Sequence, residues 1–166
     1  MARKSKAGPR SGCPVSMSLD LLGDRWSLLI VRDVMVRGYR TFREFQQSGE
    51  GIATNILADR LDKLEQGGIL TRERAADDGR SMHYRLTPKG IALAPVLLEL
   101  LIWGARHEPT DAPCAVIDQM EQDRAGVLAE TYRRWEQRDP VPLLPPFKTG
   151  KKTHARPNSP KGRNKR

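Results

Sequence analysis

TFREFQQSGEGIATNILADRLDKLEQGGILTRERAADDGRSMHYRLTPKG, residues 41–90, is the stretch whose reading decides the fold. Thr41 is placed to cap a short helix reaching Gln47. Its hydroxyl can accept an otherwise unpaired N–H, and Glu44 stands three residues on, the spacing of a capping box. Phe42 and Phe45 then face inward. Ser48-Gly49-Glu50-Gly51 breaks this helix, and Ile52 pins the turn to the core. From Ala53 to Gln66 the apolar residues Ala53, Leu57, Leu61 and Leu64 recur at fours and threes, so one stripe packs inward while Asn55, Asp59, Asp62 and Lys63 turn outward. Gly67-Gly68 ends this second helix. Ile69–Arg74 alternates in part, Asp78-Gly79 is a two-residue hairpin turn whose positions tolerate positive φ, and Ser81–Leu86 is the returning strand. Helix, turn, helix and hairpin in that order form a helix-turn-helix with a β-wing, which makes duplex DNA the first partner to consider.

Upstream, Val15, Leu19 and Leu22 share a helical stripe that stops at Gly23, and Arg25–Arg37 carries Trp26, Leu29, Ile30 and Val34 at helical spacing before Gly38. Both helices are expected to supply core. Downstream, Thr87-Pro88 reads as N-cap plus N1 proline, opening a helix that runs, kinked at Pro95, to about Arg106. Glu108–Pro113 is a linker. Val116, Ile117, Met120, Val127, Leu128, Thr131 and Trp135 then recur at threes and fours as one further amphipathic helix ending before Pro140. The fold class is therefore mainly α with a small β-hairpin wing (α+β), a winged helix-turn-helix with additional C-terminal dimerisation helices. The expected organisation is a basic disordered tail over 1–12, the winged domain over 13–106, linker and C-terminal helix over 107–139, and a Pro-rich then basic disordered tail over 140–166. Met17, Met35, Met82 and Met120 read as packing residues, and Trp26, Trp103 and Trp135 as core or interface anchors.

The 166 residues carry a net charge of +9, but its location matters more than its size. Residues 1–10 hold four Lys or Arg and residues 147–166 hold eight, with no acid in either; without them, 17 basic residues face all 20 acidic ones, a net −3. Such tails add sequence-independent attraction to phosphates and raise the salt sensitivity of binding; equally, they serve as solvated ends that keep the chain soluble. Two cysteines and three scattered histidines make neither a disulfide framework nor a zinc pattern, so no metal and no cofactor is expected. No apolar segment of signal-peptide type precedes Pro14, and the run Ile91–Ala105 is interrupted by Pro95 and Glu99 and is short for a bilayer. A cytoplasmic protein with no membrane partner, associated with the nucleoid through DNA, is the expectation.

Several of these segments together resemble one family: Gly23-Asp24-Arg25-Trp26-Ser27-Leu28-Leu29-Ile30, Phe42-Arg43-Glu44-Phe45, Gly51-Ile52-Ala53-Thr54-Asn55, Leu57-Ala58-Asp59-Arg60-Leu61-Asp62-Lys63-Leu64-Glu65 and Tyr84-Arg85-Leu86-Thr87-Pro88-Lys89-Gly90. In this order, over Cys13 to Arg106, the chain resembles the HxlR-type winged helix-turn-helix regulators, relatives of the MarR group. The resemblance implies a dimeric, DNA-binding transcriptional regulator of bacteria. It departs at the wing tip, Asp77-Asp78-Gly79-Arg80-Ser81-Met82-His83, which is acidic at its turn and lacks the family's proline pair, and after Ala112, where nothing corresponds.

A helix entering a major groove reads bases chiefly from its N-terminal end. Thr54 and Asn55 stand there: Asn can pair bidentately with adenine, and Thr can donate to an acceptor or pack on a thymine methyl. For Thr54 simple helix capping is the competing reading. Arg60 and Lys63 are candidate phosphate clamps, or else partners of Asp59, Asp62 or Glu65 on a solvated face. Arg40, Thr41 and Arg43 at the start of the supporting helix can reach backbone phosphates, and Arg80 at the wing tip heads the basic surface formed with Arg72, Arg74 and Arg85. Cys13 lies between a basic tail and a helix start, a setting that favours a reactive thiolate and a redox or electrophile sensor; a small packed residue is the alternative.

One such module touches one half-site, so a homodimer on an inverted-repeat operator, repressing by occlusion, is the expected assembly, with an effector of unknown identity. Leu97, Leu98, Leu101, Ile102 and Trp103 exceed what a small core absorbs and are assigned to the subunit interface, unless the Val116–Trp135 helix folds back over them. The competing class is a non-sequence-specific nucleic-acid-binding or architectural protein acting through its basic tails. No Ser-His-Asp or Cys-His pairing, phosphate loop or convincing carboxylate pair supports an enzyme.

Overall fold

The computed structural model describes residues 11–74, 81–139 and 141–144. Eight helices and two strands follow in the order α1 (Pro14–Leu22), α2 (Arg25–Val36), α3 (Phe42–Gln46), α4 (Thr54–Gln66), β1 (Leu70–Arg74), β2 (Met82–Leu86), α5 (Pro88–Ile91), α6 (Ala94–His107), α7 (Cys114–Gln122) and α8 (Arg124–Gln137). The strands pair antiparallel with Leu70 opposite Leu86 and Arg74 opposite Met82. The turn joining them, with Asp78, Gly79 and Arg80, lies outside the described residues.

Local chemistry sets the ends of the elements between residues 41 and 90. Thr41 caps α3 in a full capping box: its hydroxyl accepts from the Glu44 amide, and the Glu44 carboxylate accepts from the Thr41 amide at 2.7 Å. Gly49 and Gly51, both at positive φ, supply the sharp reversal into α4 that a Cβ would oppose. At the other end of α4 the Ile69 amide reaches the Leu64 carbonyl and the Gly68 amide the Glu65 carbonyl, a Schellman stop with Gly68 at φ 69°.

Phe45, Leu57, Leu61 and Leu64 are buried with Ile30, Val31, Ile69, Leu70 and Leu86, so α2, α3, α4 and the base of the wing share one core. Phe45 meets Tyr84 of β2 edge-on, with ring centroids 5.9 Å apart, joining the supporting helix to the wing. Burial of this set is the main stabilising term, since each buried Leu contributes roughly 1.5–3 kcal/mol relative to exposure.

Five expectations change. Ala53 is the exposed N-cap of α4 rather than part of its stripe, because the helix opens one residue later. No residue of α1 is buried: Val15 and Leu19 are 67% and 57% exposed, and only Leu21 and Leu22 lean on the core. Met17 and Met82 are likewise exposed, whereas Met120 packs. The helix opened by Thr87 is two helices, since Pro95 lacks the N–H that would bond to Ile91; the chain closes α5 with a Leu93 to Gly90 bond and restarts α6 with Leu97 to Leu93. The C-terminal helix is also two, split where the Asp123 carboxylate caps α8 by accepting from the Gly126 amide.

These last two helices fold back on α6. Leu98, Ile102 and Met120 form a second buried cluster with Leu101, Val116, Val127, Leu128 and Leu144 against it, while Leu97 joins the first core. Of the surplus residues assigned to an interface, Leu97, Leu98, Leu101 and Ile102 are thus covered within the chain. Trp103 remains 56% exposed. The stretch Pro88–His107, counted whole, has the length and composition of a bilayer-crossing segment, but here it is broken into α5 and α6 and contributes Ile91, Ala94, Leu98 and Ile102 to packing.

Gly90 gives a sharp test of this packing. A Cβ there would run into the Ile69 carbonyl oxygen and come within 2.9 Å of Leu86 Cδ2. Gly90→Ala should therefore lower stability in urea unfolding by roughly 1–3 kcal/mol, as overpacking does. Helix propensity alone would raise it by about 1 kcal/mol.

Candidate nucleic-acid interface

The leading end of α4 is built from three neighbouring residues. Thr54 is the first helical residue, and its hydroxyl accepts a 2.9 Å hydrogen bond from Gln46 Nε2 at the end of α3. Thr54 therefore does not cap α4; it couples the two helices of the motif. Asn55 is exposed beside it and its side chain has no hydrogen-bond partner among the described residues, which leaves the side-chain amide available to a base edge. On the neighbouring helix Arg43 is exposed with no acidic partner among the described residues. Asp59 and Asp62 face solvent farther along α4, so a phosphate is better met at the leading end than along the length.

Arg60 takes the Asp59 partner the sequence offered, and both Arg60 and Lys63 also reach Asp24, which the sequence reading did not name. Arg60 Nε lies 3.1 Å from Asp24 Oδ1 as an ion pair without hydrogen-bond alignment, its Nη1 lies 2.5 Å from Asp59, and Lys63 Nζ is 3.4 Å from Asp24 Oδ2. Asp24 is the N-cap of α2, accepting from the Trp26 and Ser27 amides at 2.9 Å and from the Ser27 hydroxyl at 2.6 Å. Burial opposes its ionised form, but the bonds from the Ser27 hydroxyl and amide and the Trp26 amide, with the Arg60 charge, outweigh that and lower its pKa to about 2. One carboxylate thus fixes the start of α2 and draws in two cations of α4.

The remaining candidates divide. Thr41 is committed to its capping box. Arg40 turns toward the end of α8, with Nη2 at 3.4 and 3.5 Å from the carbonyls of Arg138 and Asp139. On the wing, Arg72 is 3.6 Å from Glu65, Arg74 is exposed, and Arg85 donates to the Trp135 carbonyl at 2.9 Å with its guanidinium over the Trp135 ring. Trp135 Nε1 in turn donates to the Leu86 carbonyl at 2.8 Å, so α8 buttresses the base of the wing. Arg80 lies outside the described residues. Cys13 is exposed at the N-cap of α1. Among the described residues no cluster of three or more His, Cys, Asp or Glu could hold a metal ion.

Sequence reasoning missed Asp24, Gln46 and the Arg85–Trp135 tie. Asp24 could have been found, since Gly23 before it and Ser27 three residues on mark an N-cap. The other two depend on contacts between separate elements and leave no local signal.

This arrangement is that of a winged helix-turn-helix, and comparison with known proteins agrees. Residues 21–112 match the model of the HxlR-like helix-turn-helix family, and the chain belongs to that family. It is 36% identical over 104 residues to the HTH-type transcriptional regulator YodB of Bacillus subtilis (strain 168), covering 61% of this chain and 92% of the relative. Among solved structures it is similar to PA1607 (44% identity, TM-score 0.57, covering 61% of this chain and 69% of that one). It is also similar to the redox regulator HypR in its oxidized form (31% identity, TM-score 0.54, covering 59% and 100%). The chain is a sequence-specific DNA-binding transcriptional regulator; nothing in these likenesses favours an architectural protein working through basic tails.

The Asp24 geometry makes stability depend on acidity in one direction. Its folded pKa is depressed, so its contribution is complete above the ordinary carboxylate value of 3.8 and is lost as pH falls through about 2. Asp24→Ala should cost about 2 kcal/mol at pH 7 by chemical denaturation, with the gap to the unaltered chain closing as pH approaches 2.

Proposed function

We propose that the chain acts as a cytoplasmic homodimer that places the leading end of α4 in the major groove of each half of an inverted-repeat operator and represses by occluding the promoter. The observation that carries this reading is Asn55, exposed and unpaired beside a Thr54 that Gln46 locks to the supporting helix. A base-reading group needs both freedom to pair and a rigid mount. Arg43 is the backbone clamp this geometry favours, and Arg80 at the wing tip is its counterpart on the hairpin side. Arg40, Thr41, Arg60 and Lys63 act on DNA mainly by holding the motif in shape, since their polar atoms already have protein partners.

Apolar surface left outside both cores supports the dimer. Val96, Leu100 and Trp103 are 48%, 47% and 56% exposed at helical spacing along α6, and Val15 and Leu19 are exposed along α1. A dimer joined through these faces must hold its recognition helices about 34 Å apart, one turn of duplex, to read both half-sites. The basic segments 1–10 and 147–166 then add salt-sensitive affinity without choosing a sequence.

A redox input has its own support: Cys13 is exposed at the N-cap of α1, and one similar structure is described as a redox regulator. Cys13→Ser should abolish any loss of operator affinity on diamide treatment; unchanged diamide sensitivity in that variant removes Cys13 from the reading.

Selection of bound sequences from a random duplex library, followed by salt titration of the winner, tests the whole reading. An inverted repeat should emerge. Asn55→Ala should weaken binding by about 1–3 kcal/mol and relax selectivity at one base pair per half-site, whereas Arg43→Ala should weaken binding to all sequences and lower the salt slope by about one per subunit. Enrichment of no motif counts against sequence-specific binding.

A further inference from the structure

A cavity of about 500 Å³ lies between α2, α6, α7 and α8. Its walls are aliphatic, with Met35 from α2, Leu97 and Leu101 from α6, Met120 from α7, and Val127 and Leu128 from α8. The volume falls in the range that holds a small organic molecule, and the two methionines give an adaptable lining. Most of the wall comes from α2 and α6, and α7 and α8, which follow the residues shared with the family, close it with Met120, Val127, Leu128 and Thr131.

Among the described residues two charged side chains border this space, and they are not equivalent. Arg32 is already neutralised: its guanidinium binds Asp33 at 2.7 Å and Glu50 at 2.9 Å. Asp111, in the linker at the mouth, is exposed and has no partner among the described residues. Among the described residues an entering carboxylate would find no free cation, and it would pass an unpaired anion. A cation would find apolar walls and a carboxylate at the entrance.

We propose that this cavity is a binding site for lipophilic organic monocations, with the hydrophobic body between α6 and α8 and the charge held toward Asp111. As an effector site it rests on the DNA-binding reading, because α2 contributes to its wall and packs on the recognition helix. As a binding site it stands alone.

Calorimetric titration of the full-length chain with tetraphenylphosphonium, and with tetraphenylborate as an anion of the same shape, tests it without DNA. Gly104 borders the cavity, and a Cβ there meets no heavy atom within 4 Å, so Gly104→Leu occupies the space while improving helix propensity. The phosphonium should bind, Gly104→Leu should weaken it at least tenfold with no fall in Tm, and Asp111→Asn should weaken it severalfold without unfolding the chain. Absence of phosphonium binding, binding indifferent to Gly104→Leu, or tighter Gly104-sensitive binding of the borate overturns the proposal. The library selection decides the DNA reading separately, so the two can fail independently.

Discussion

The Asp24 carboxylate is the constraint on which the geometry of this molecule depends. It satisfies the first amides of α2, takes the Ser27 hydroxyl, and stands within ion-pair distance of Arg60 and Lys63 on α4. A helix end needs such a group, because its first N–H bonds have no partner in the helix. Placing the carboxylate between two helices turns that local need into a fix on the position of the recognition helix. Its depressed pKa measures how far these partners outweigh its burial.

Around that fix the apolar residues divide into two cores with different tasks. The first, centred on Phe45, Leu57, Leu61 and Leu64, sets α3, α4 and the hairpin in one relative position. The second, around Leu98, Ile102 and Met120, attaches the C-terminal helices to α6. Trp135 links them, packing on the first core while its indole N–H and carbonyl bond to Leu86 and Arg85 of the wing strand. The segment beyond the family match is therefore structural support for the wing as well as a cover for α6. Asn55 and Arg43 remain outside this network, with exposed side chains that have no partner among the described residues.

Much of this was legible in the sequence wherever a local rule decided the outcome. The capping box at Thr41, the Gly-bounded turn, the Leu57–Leu61–Leu64 stripe and the Thr87-Pro88 helix start are signals written within four residues of where they act. The stripe of α1 misled because periodicity shows that a helix has an apolar face but not what that face meets; Val15 and Leu19 face outward here. Asp123 split the last helix because a capping carboxylate within an apolar pattern competes with its continuation, a signal present but overridden by the count of apolar positions. Arg60 and Lys63 were read as phosphate clamps or as paired within α4; Arg60 does meet Asp59, but both also reach Asp24, 36 and 39 residues away in sequence. Such contacts exist only once the chain is folded.

Directed cleavage tests the central claim most directly. With Cys13 and Cys114 replaced by serine, an iron chelate attached through Asn55→Cys should cut a selected operator at two clusters about one helical turn apart, each within a half-site. The same chelate attached at exposed Glu136 of α8 should give no localised cut. Uniform cleavage from position 55, or stronger localised cleavage from position 136, would contradict the placement of α4 in the groove.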